Sequence, residues 1–468
     1  MKAFFTINEI KKEYYFLRSS LMREDSFARN FSSVFIGKAV IIAITLFTTP
    51  LLTRLYSPEA YGYFSFFNTV VINFAMLSTM GFPFALVLAK SEHEFYNLMV
   101  FLVVAVFFFL IVFGALFLLC MNFVVPFDFE NHDESNLYFI LLVFGAMIFA
   151  WVQIFPRWNT WRNQYKTGAR INVVVNAGAR GVSLAIGFFF DGFKFGLILG
   201  DIAGKLAGIA INFYVNVRKE WSSIIRAVSR PAMMAMVRQY QNYPQYILSG
   251  VYLAMLCNHI PLLVFSFYFG AEILGNYALT TGLMNLPVTL LAQSLGAVFL
   301  KRVADLQTNS PDKISPFIKR LTTGIFLAVI LPYAIIVVFA PQIFILLLGE
   351  DWFIAGQYAS ILALYGPFEL LLQSVQNALQ VFNREKLIFK LNLFQLILVI
   401  LFVLPGLYFH SPGAVVWGLA AAKMISSYVI LFAVLKTGGI NPWLLFKFII
   451  AFGALVVFLL SIEWLATS

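Results

Sequence analysis

Polar positions do not alternate with apolar ones along this chain; they cut it into long apolar runs, each the length of a helix. Thirteen such runs follow one another, at roughly 31–54, 61–89, 97–125, 136–156, 170–190, 193–216, 244–269, 273–299, 320–348, 354–381, 387–409, 414–435 and 443–464. A helix needs about 20 residues to cross the hydrocarbon of a bilayer, and each run supplies that length. A membrane barrel would show segments of about ten residues with alternating polarity. The pattern therefore predicts an all-α integral membrane protein. Composition agrees, since 61% of the 468 residues are hydrophobic and 12% are charged, a balance foreign to soluble domains.

Charge then sets orientation. Lys and Arg gather in alternate connections, among them "RWNTWRNQYKTGAR" (157–170), "VRKEWSSIIRAVSRPAMMAMVRQY" (217–240) and "KRVADLQTNSPDKISPFIKR" (301–320). The opposite loops "PFDFENHDESN" (126–136) and "GEDWF" (349–353) are acidic. Basic loops stay in the cytoplasm, so the N-terminus is expected there, in a multi-pass membrane protein. The net charge of +10 then reads as topology, and no nucleic acid is implied. Residues 1–30 lack the apolar core of a signal peptide. Ile7, Ile10, Tyr14, Leu17 and Leu21 recur at helical spacing among Lys11, Lys12, Arg18 and Arg23, which predicts an amphipathic cytoplasmic segment, the alternative being a partly ordered basic tail. Cys120 and Cys257 both sit in apolar runs and imply neither a disulfide nor a metal site. No cofactor is expected.

The runs also repeat. "PLLTRLYSPEAYGYF" (50–64) is echoed by "PLLVFSFYFGAEILGNYAL" (261–279), matching Glu59 with Glu272, Gly62 with Gly275 and Phe64 with Tyr277 at one offset. "FGLILGD" (195–201) is echoed by "WGLAAAK" (417–423). The chain thus divides into the N-terminal segment 1–30, an N-lobe of six spans (31–216), a basic linker (217–243), a C-lobe of six spans (244–435) and an extra thirteenth span within 436–468. An even number of spans per half makes the repeats parallel, and a substrate path is expected between them.

Polar residues inside spans mark such a path, because facing lipid is costly for them. Span 5 carries Asn172, Asn176, Arg180 and Ser183; span 8 carries Thr281, Asn285, Thr289 and Gln293; span 10 carries Glu369, Gln373, Gln376 and Gln380. These stripes predict a hydrated central cavity between the lobes. Lys38 either faces that cavity or snorkels to the headgroups. Asp201 and Lys205 are spaced to neutralise each other; alternatively Asp201, opposite Lys423 in the repeat, exchanges a salt bridge with it during gating. His259 and Glu369 are candidates for ion coupling or are structural. Arg54, at the outward end of the first span, is either an anchor or a phosphate contact.

The stretches "LLTRLYSPEAYGYFSFFNTVVINFAMLSTMGFPFAL" (51–86) and "FGAEILGNYALTTGLMNLPVTLLAQSLGAVFLKRVADLQ" (269–307) resemble the polysaccharide transporters of the multidrug/oligosaccharidyl-lipid/polysaccharide exporter superfamily. The resemblance implies an O-antigen-type flippase carrying an oligosaccharide on undecaprenyl diphosphate from the cytoplasmic to the periplasmic leaflet of a bacterial inner membrane, with a polymerase and chain-length machinery as partners. For such a cargo Arg180, Lys38, Lys205, Lys423 and Arg54 would serve the diphosphate. Asn172, Asn176, Asn285, Gln293, Gln373 and Gln376 would serve sugar hydroxyls. Rival readings are a multidrug cation antiporter of the same superfamily and a flippase for a peptidoglycan lipid precursor. An enzyme is disfavoured, because no paired carboxylates, metal-ligand cluster or nucleotide-binding glycine loop is evident.

Overall fold

The computed structural model describes residues 27–119, 125–127, 129, 131–292, 299, 302–303, 305–382 and 384–467, and every regular element among them is helical. Nearly all of the expected amphipathic N-terminal segment, and Gln293, lie outside the described residues. The N-lobe comprises α1 (Phe27–Leu55), α2 (Pro58–Ser78), α3 (Glu92–Leu119), α4 (His132–Ile154), α5 (Tyr165–Phe189) and α6 (Gly196–Asn212). The linker is helical, as α7 (Arg218–Ala227) and α8 (Arg230–Gln239). Then come α9 (Leu248–Pro287), α10 (Ile314–Leu348), α11 (Phe353–Ala363), α12 (Gly366–Val375), α13 (Glu385–Tyr408), α14 (Pro412–Thr437) and α15 (Trp443–Thr467).

Local chemistry sets several of these boundaries. At the corner between α1 and α2, the Ser57 side chain accepts from the Ala60 amide at 3.3 Å, with Pro58 in the first turn and Glu59 behind it. The cap satisfies one orphan donor, the proline has no N–H to lose, and the acid faces the positive end of the helix. Ser229 and Ser411, each followed within two residues by proline, cap α8 and α14 in the same manner.

Among the described residues, eleven helices are long and apolar enough to cross a membrane. The other two predicted spans are present in altered form. Gly270, at φ 81° and ψ −179°, occupies a backbone region open essentially to glycine, and this break divides α9 into the seventh and eighth spans. The tenth span is carried by α11 and α12, each too short alone; Pro367 cannot donate the hydrogen bond that would make them continuous. The thirteenth span belongs with the C-lobe, where Phe448 of α15 stacks on Phe326 of α10 at 4.0 Å.

The repeat seen in the sequence is physical. A Cβ added to Gly62 would lie 1.8 Å from the Ala271 carbonyl oxygen, and one added to Gly275 would lie 1.7 Å from the Pro58 carbonyl oxygen. Pro58 and Ala271 are themselves counterparts in the repeat, so the contact is reciprocal. Two helix starts cross where neither has a side chain, which is how small residues let membrane helices approach. Beside this crossing, Trp352 is 0% exposed. Its indole N–H donates to the Thr53 carbonyl at 3.0 Å, and its ring meets the Tyr61 ring edge-on at 4.9 Å. The lobes are thus closed together at the acidic end of the bundle.

At the basic end the linker is fastened to the N-lobe. Arg162 bridges Glu92 at 2.7 Å and Glu220 of α7 at 2.9 Å. Burial opposes its charge, but the two carboxylates outweigh that and raise its pKa. The Asn97 amide donates to the Ala227 carbonyl at 3.0 Å while its oxygen accepts from the Ser229 amide at 3.1 Å. These bonds replace the ones lost between α7 and α8.

Candidate functional site

The site is built on the packing of α5 against α6. Glycine recurs at every fourth position of α6, at Gly196, Gly200, Gly204 and Gly208. A Cβ at Gly200 would come within 2.0 Å of Ser183 Oγ, and one at Gly204 within 2.5 Å of Ala179 Cβ. This contact fixes the rotation of α5, and Asn176 and Arg180 are left facing α1 and the space between the lobes.

Arg180 Nη1 donates to Thr48 Oγ1 at 2.8 Å and to Thr49 Oγ1 at 3.5 Å. Both hydroxyls give their own protons to carbonyls one turn back, Thr48 to Ile44 and Thr49 to Thr45, each at 2.7 Å. Only oxygen lone pairs are left to meet the guanidinium, and this fixes its position without consuming its charge. The cavity it enters has a volume of 460 Å³ and draws its walls from both lobes, including Asn68, Asn176 and Asp201 on one side and His259, Leu279 and Leu283 on the other. Among the described residues lining it, Arg180 is the one Lys or Arg. Asp201 is ion-paired with Lys205, whose ammonium sits 3.9 Å from the centre of the Phe149 ring. His259 Nδ1 lies 2.6 Å from the Asn73 amide nitrogen. The amide donates and the ring accepts, in a hydrogen bond that crosses between the lobes.

An apolar groove of 380 Å³ adjoins this cavity, between α1, α9 and α10. Ile42, Leu46, Met284 and Phe344 line it, and it shares Thr49, Leu283 and Leu286 with the cavity.

Sequence reasoning places all the polar stripes on one central cavity. The structure distributes them over three spaces. Lys38 and Asn172 line a 320 Å³ pocket inside the N-lobe, with Asn159, Tyr165 and Asn212. Glu369, Gln373, Gln376 and Lys423 line a 270 Å³ pocket inside the C-lobe. There Glu369 accepts from Gln373 and from Ser427, both at 3.0 Å, Gln376 donates to Gln373 at 3.1 Å, and Lys423 donates to Asn258 at 3.1 Å. Asp201 and Lys423 therefore have separate partners in this state. The physical reason is that α12 packs within its own lobe, so its stripe is satisfied there. Asn285 is exposed one residue before Leu286 of the cavity wall, and Arg54 is exposed in the last turn of α1, at the acidic end. Among the described residues no group of three His, Cys, Asp or Glu side chains could hold a metal ion.

The family described as polysaccharide biosynthesis protein matches residues 51–357. The chain belongs to that family. The chain has the two-lobe fold of the multidrug/oligosaccharidyl-lipid/polysaccharide exporters. It is similar to the lipid II flippase MurJ in an inward closed conformation, with a TM-score of 0.63 at 17% identity over 93% of this chain and 98% of that one. It is also similar to an inward-facing multidrug resistance MATE family transporter, with a TM-score of 0.62 at 14% identity over 86% of this chain and 98% of that one. A superfamily transporter from Pyrococcus furiosus gives 0.52 at 12% identity over 88% and 96% of the two chains. No curated protein matches the chain.

Several site residues escaped the reading of the sequence. Thr45, Thr48 and Thr49 signal a hydroxyl-bearing face by their helical spacing. Asn68 and Asn73 lie five residues apart on α2, off a simple stripe.

Proposed function

We propose that this chain is a flippase for an oligosaccharide linked to undecaprenyl diphosphate, working by alternating access in a bacterial inner membrane with its basic end in the cytoplasm. The observation that carries the reading is the Arg180 guanidinium, held by Thr48 and Thr49 in an inter-lobe cavity that continues into an apolar groove. Such a cargo has three chemically different parts. Its diphosphate suits a guanidinium fork, its sugars suit amides, and its prenyl chain suits the groove between α1, α9 and α10. Lys38 lies ten residues from Thr48 on α1, about 15 Å nearer the basic end, where it would meet the headgroup first.

Charge also supplies a driving force. Each negative charge moved outward across an inside-negative membrane gains about 2.3 kcal/mol per 100 mV. A cation antiporter is supported less well, because the acid in the cavity, Asp201, is already paired with Lys205. A peptidoglycan precursor carries the same anchor and diphosphate and would fit the same features. The product, delivered outward, would pass to the polymerase and chain-length machinery of a surface glycan such as O-antigen.

The test compares cells with and without the protein for the amount and leaflet of lipid-linked oligosaccharide, scoring surface polysaccharide in parallel. Accumulation on the cytoplasmic face with loss of surface polysaccharide is the expected result. Accumulation of peptidoglycan precursor would redirect the assignment to that cargo, and altered sensitivity to cationic drugs without accumulation would redirect it to antiport.

A further inference from the structure

The C-lobe pocket lies behind the inter-lobe cavity, with α9 as the shared wall: Asn258 faces the pocket and its neighbour His259 faces the cavity. Five of its eight amide and charged side chains are fastened by hydrogen bonds. The chain Ser427–Glu369–Gln373–Gln376 and the pair Lys423–Asn258 form a fixed frame. The remaining amides, Asn377, Asn392 and Gln395, line the same 270 Å³ space and make no side-chain hydrogen bond to any described residue. These amides are half-buried, and their donors and acceptors are open to a polar occupant of the pocket. The frame rules on its charge. One carboxylate and one ammonium face the pocket and cancel, so a diphosphate would meet Glu369 as well as Lys423, and a cation would meet Lys423. An uncharged group rich in hydroxyls meets neither objection. Amides offer a donor and an acceptor side by side, which suits neighbouring hydroxyls, and Leu372 and Leu391 supply apolar surface for C–H faces.

The N-lobe holds a pocket in the corresponding place. It is bounded by the first, fourth, fifth and sixth spans, as the C-lobe pocket is bounded by the seventh, tenth, eleventh and twelfth, and it too combines one lysine, Lys38, with amides. There, however, Asn159 donates to Asn212 at 2.7 Å and accepts from Asn216 at 3.2 Å. Its amides are largely spent on each other, whereas those of the C-lobe are not.

We propose that the C-lobe pocket is a subsite for a neutral sugar residue of the transported oligosaccharide, with Asn377, Asn392 and Gln395 as its recognition groups. The inference rests on the transport reading above and adds a division of labour: Arg180 holds the diphosphate in the cavity, and the pocket reads the glycan.

The experiment uses the full-length protein in lipid nanodiscs and two probes. One is undecaprenyl diphosphate, and the other is the lipid-linked oligosaccharide pool extracted from cells lacking the protein. The double variant Asn392→Leu with Gln395→Met should weaken binding of the oligosaccharide-bearing lipid about tenfold and leave binding of undecaprenyl diphosphate unchanged, which also certifies that the variant is folded. Arg180→Ala should weaken both. The inference is overturned if the double variant binds both probes as the parent does, or loses both together. A parent protein that binds neither probe overturns the transport reading, and the subsite with it.

Discussion

Arg180 shows how a single side chain is placed by neighbours that have only lone pairs to offer. Charge-assisted hydrogen bonds contribute about 1.5–3 kcal/mol, so Arg180→Ala should lower oligosaccharide transport in reconstituted vesicles by about 10- to 100-fold at unchanged expression. Arg180→Lys should recover part of this, since an ammonium keeps the charge and loses the fork. Arg54 provides the contrast. It is exposed at the acidic end and away from the cavity, so Arg54→Lys should transport as the parent does, and a severe loss with normal expression would make it a phosphate contact instead. Arg180 could be picked out from its sequence alone, because a lone guanidinium in mid-span needs a polar surrounding. The spacing of Thr45, Thr48 and Thr49 marks a hydroxyl-bearing face, but not that this face meets Arg180, since threonine in a membrane helix is equally content to bond its own backbone. Glu369 and Lys423 were recognisable as interior groups for the same reason, but which interior they occupy depends on how α12 and α14 pack.

At the scale of elements, the legible part is the hydrophobic length of each span, and the illegible part is where a span breaks. Gly270 and Pro367 both lie in apolar stretches with other glycines and prolines that leave helices intact, such as Pro50 within α1 and Pro405 within α13. Only tertiary packing decides which of these become corners. The glycine ladder of α6 was readable in principle, as a four-residue period of the residue with no side chain, and it controls the site at one remove. A leucine at Gly204 has nowhere to go, because a Cβ alone would already lie 2.5 Å from Ala179. Gly204→Leu should therefore force α5 away from α6, lower the unfolding temperature in detergent, and abolish transport although it touches no cargo. Overpacking of this kind costs about 1–3 kcal/mol or more. Wild-type stability with full transport would refute the role given to the ladder.

At the scale of the whole molecule, the two lobes are joined at one end by a crossing that tolerates no side chain. Gly62→Ala would drive a methyl group into the Ala271 carbonyl, and Gly275→Ala would do the same at Pro58. Either should populate a state opened at the acidic end, seen as a longer distance between spin labels placed on the two lobes there. The double variant should show less than the summed effect, because both changes act on one contact. Unaltered distances in both single variants would mean that the crossing does not hold the closed state.

That crossing is reciprocal. A contact in which each partner presents the same patch to the other is the form taken by the interface of a symmetric homodimer. Residues Pro58 to Gly62 and Ala271 to Gly275 therefore form, inside one polypeptide, a seam of the kind that joins two like halves. If the seam suffices for assembly, the protein cut between Gln241 and Asn242, both exposed, and expressed as two separate fragments should reassemble in the membrane and regain transport.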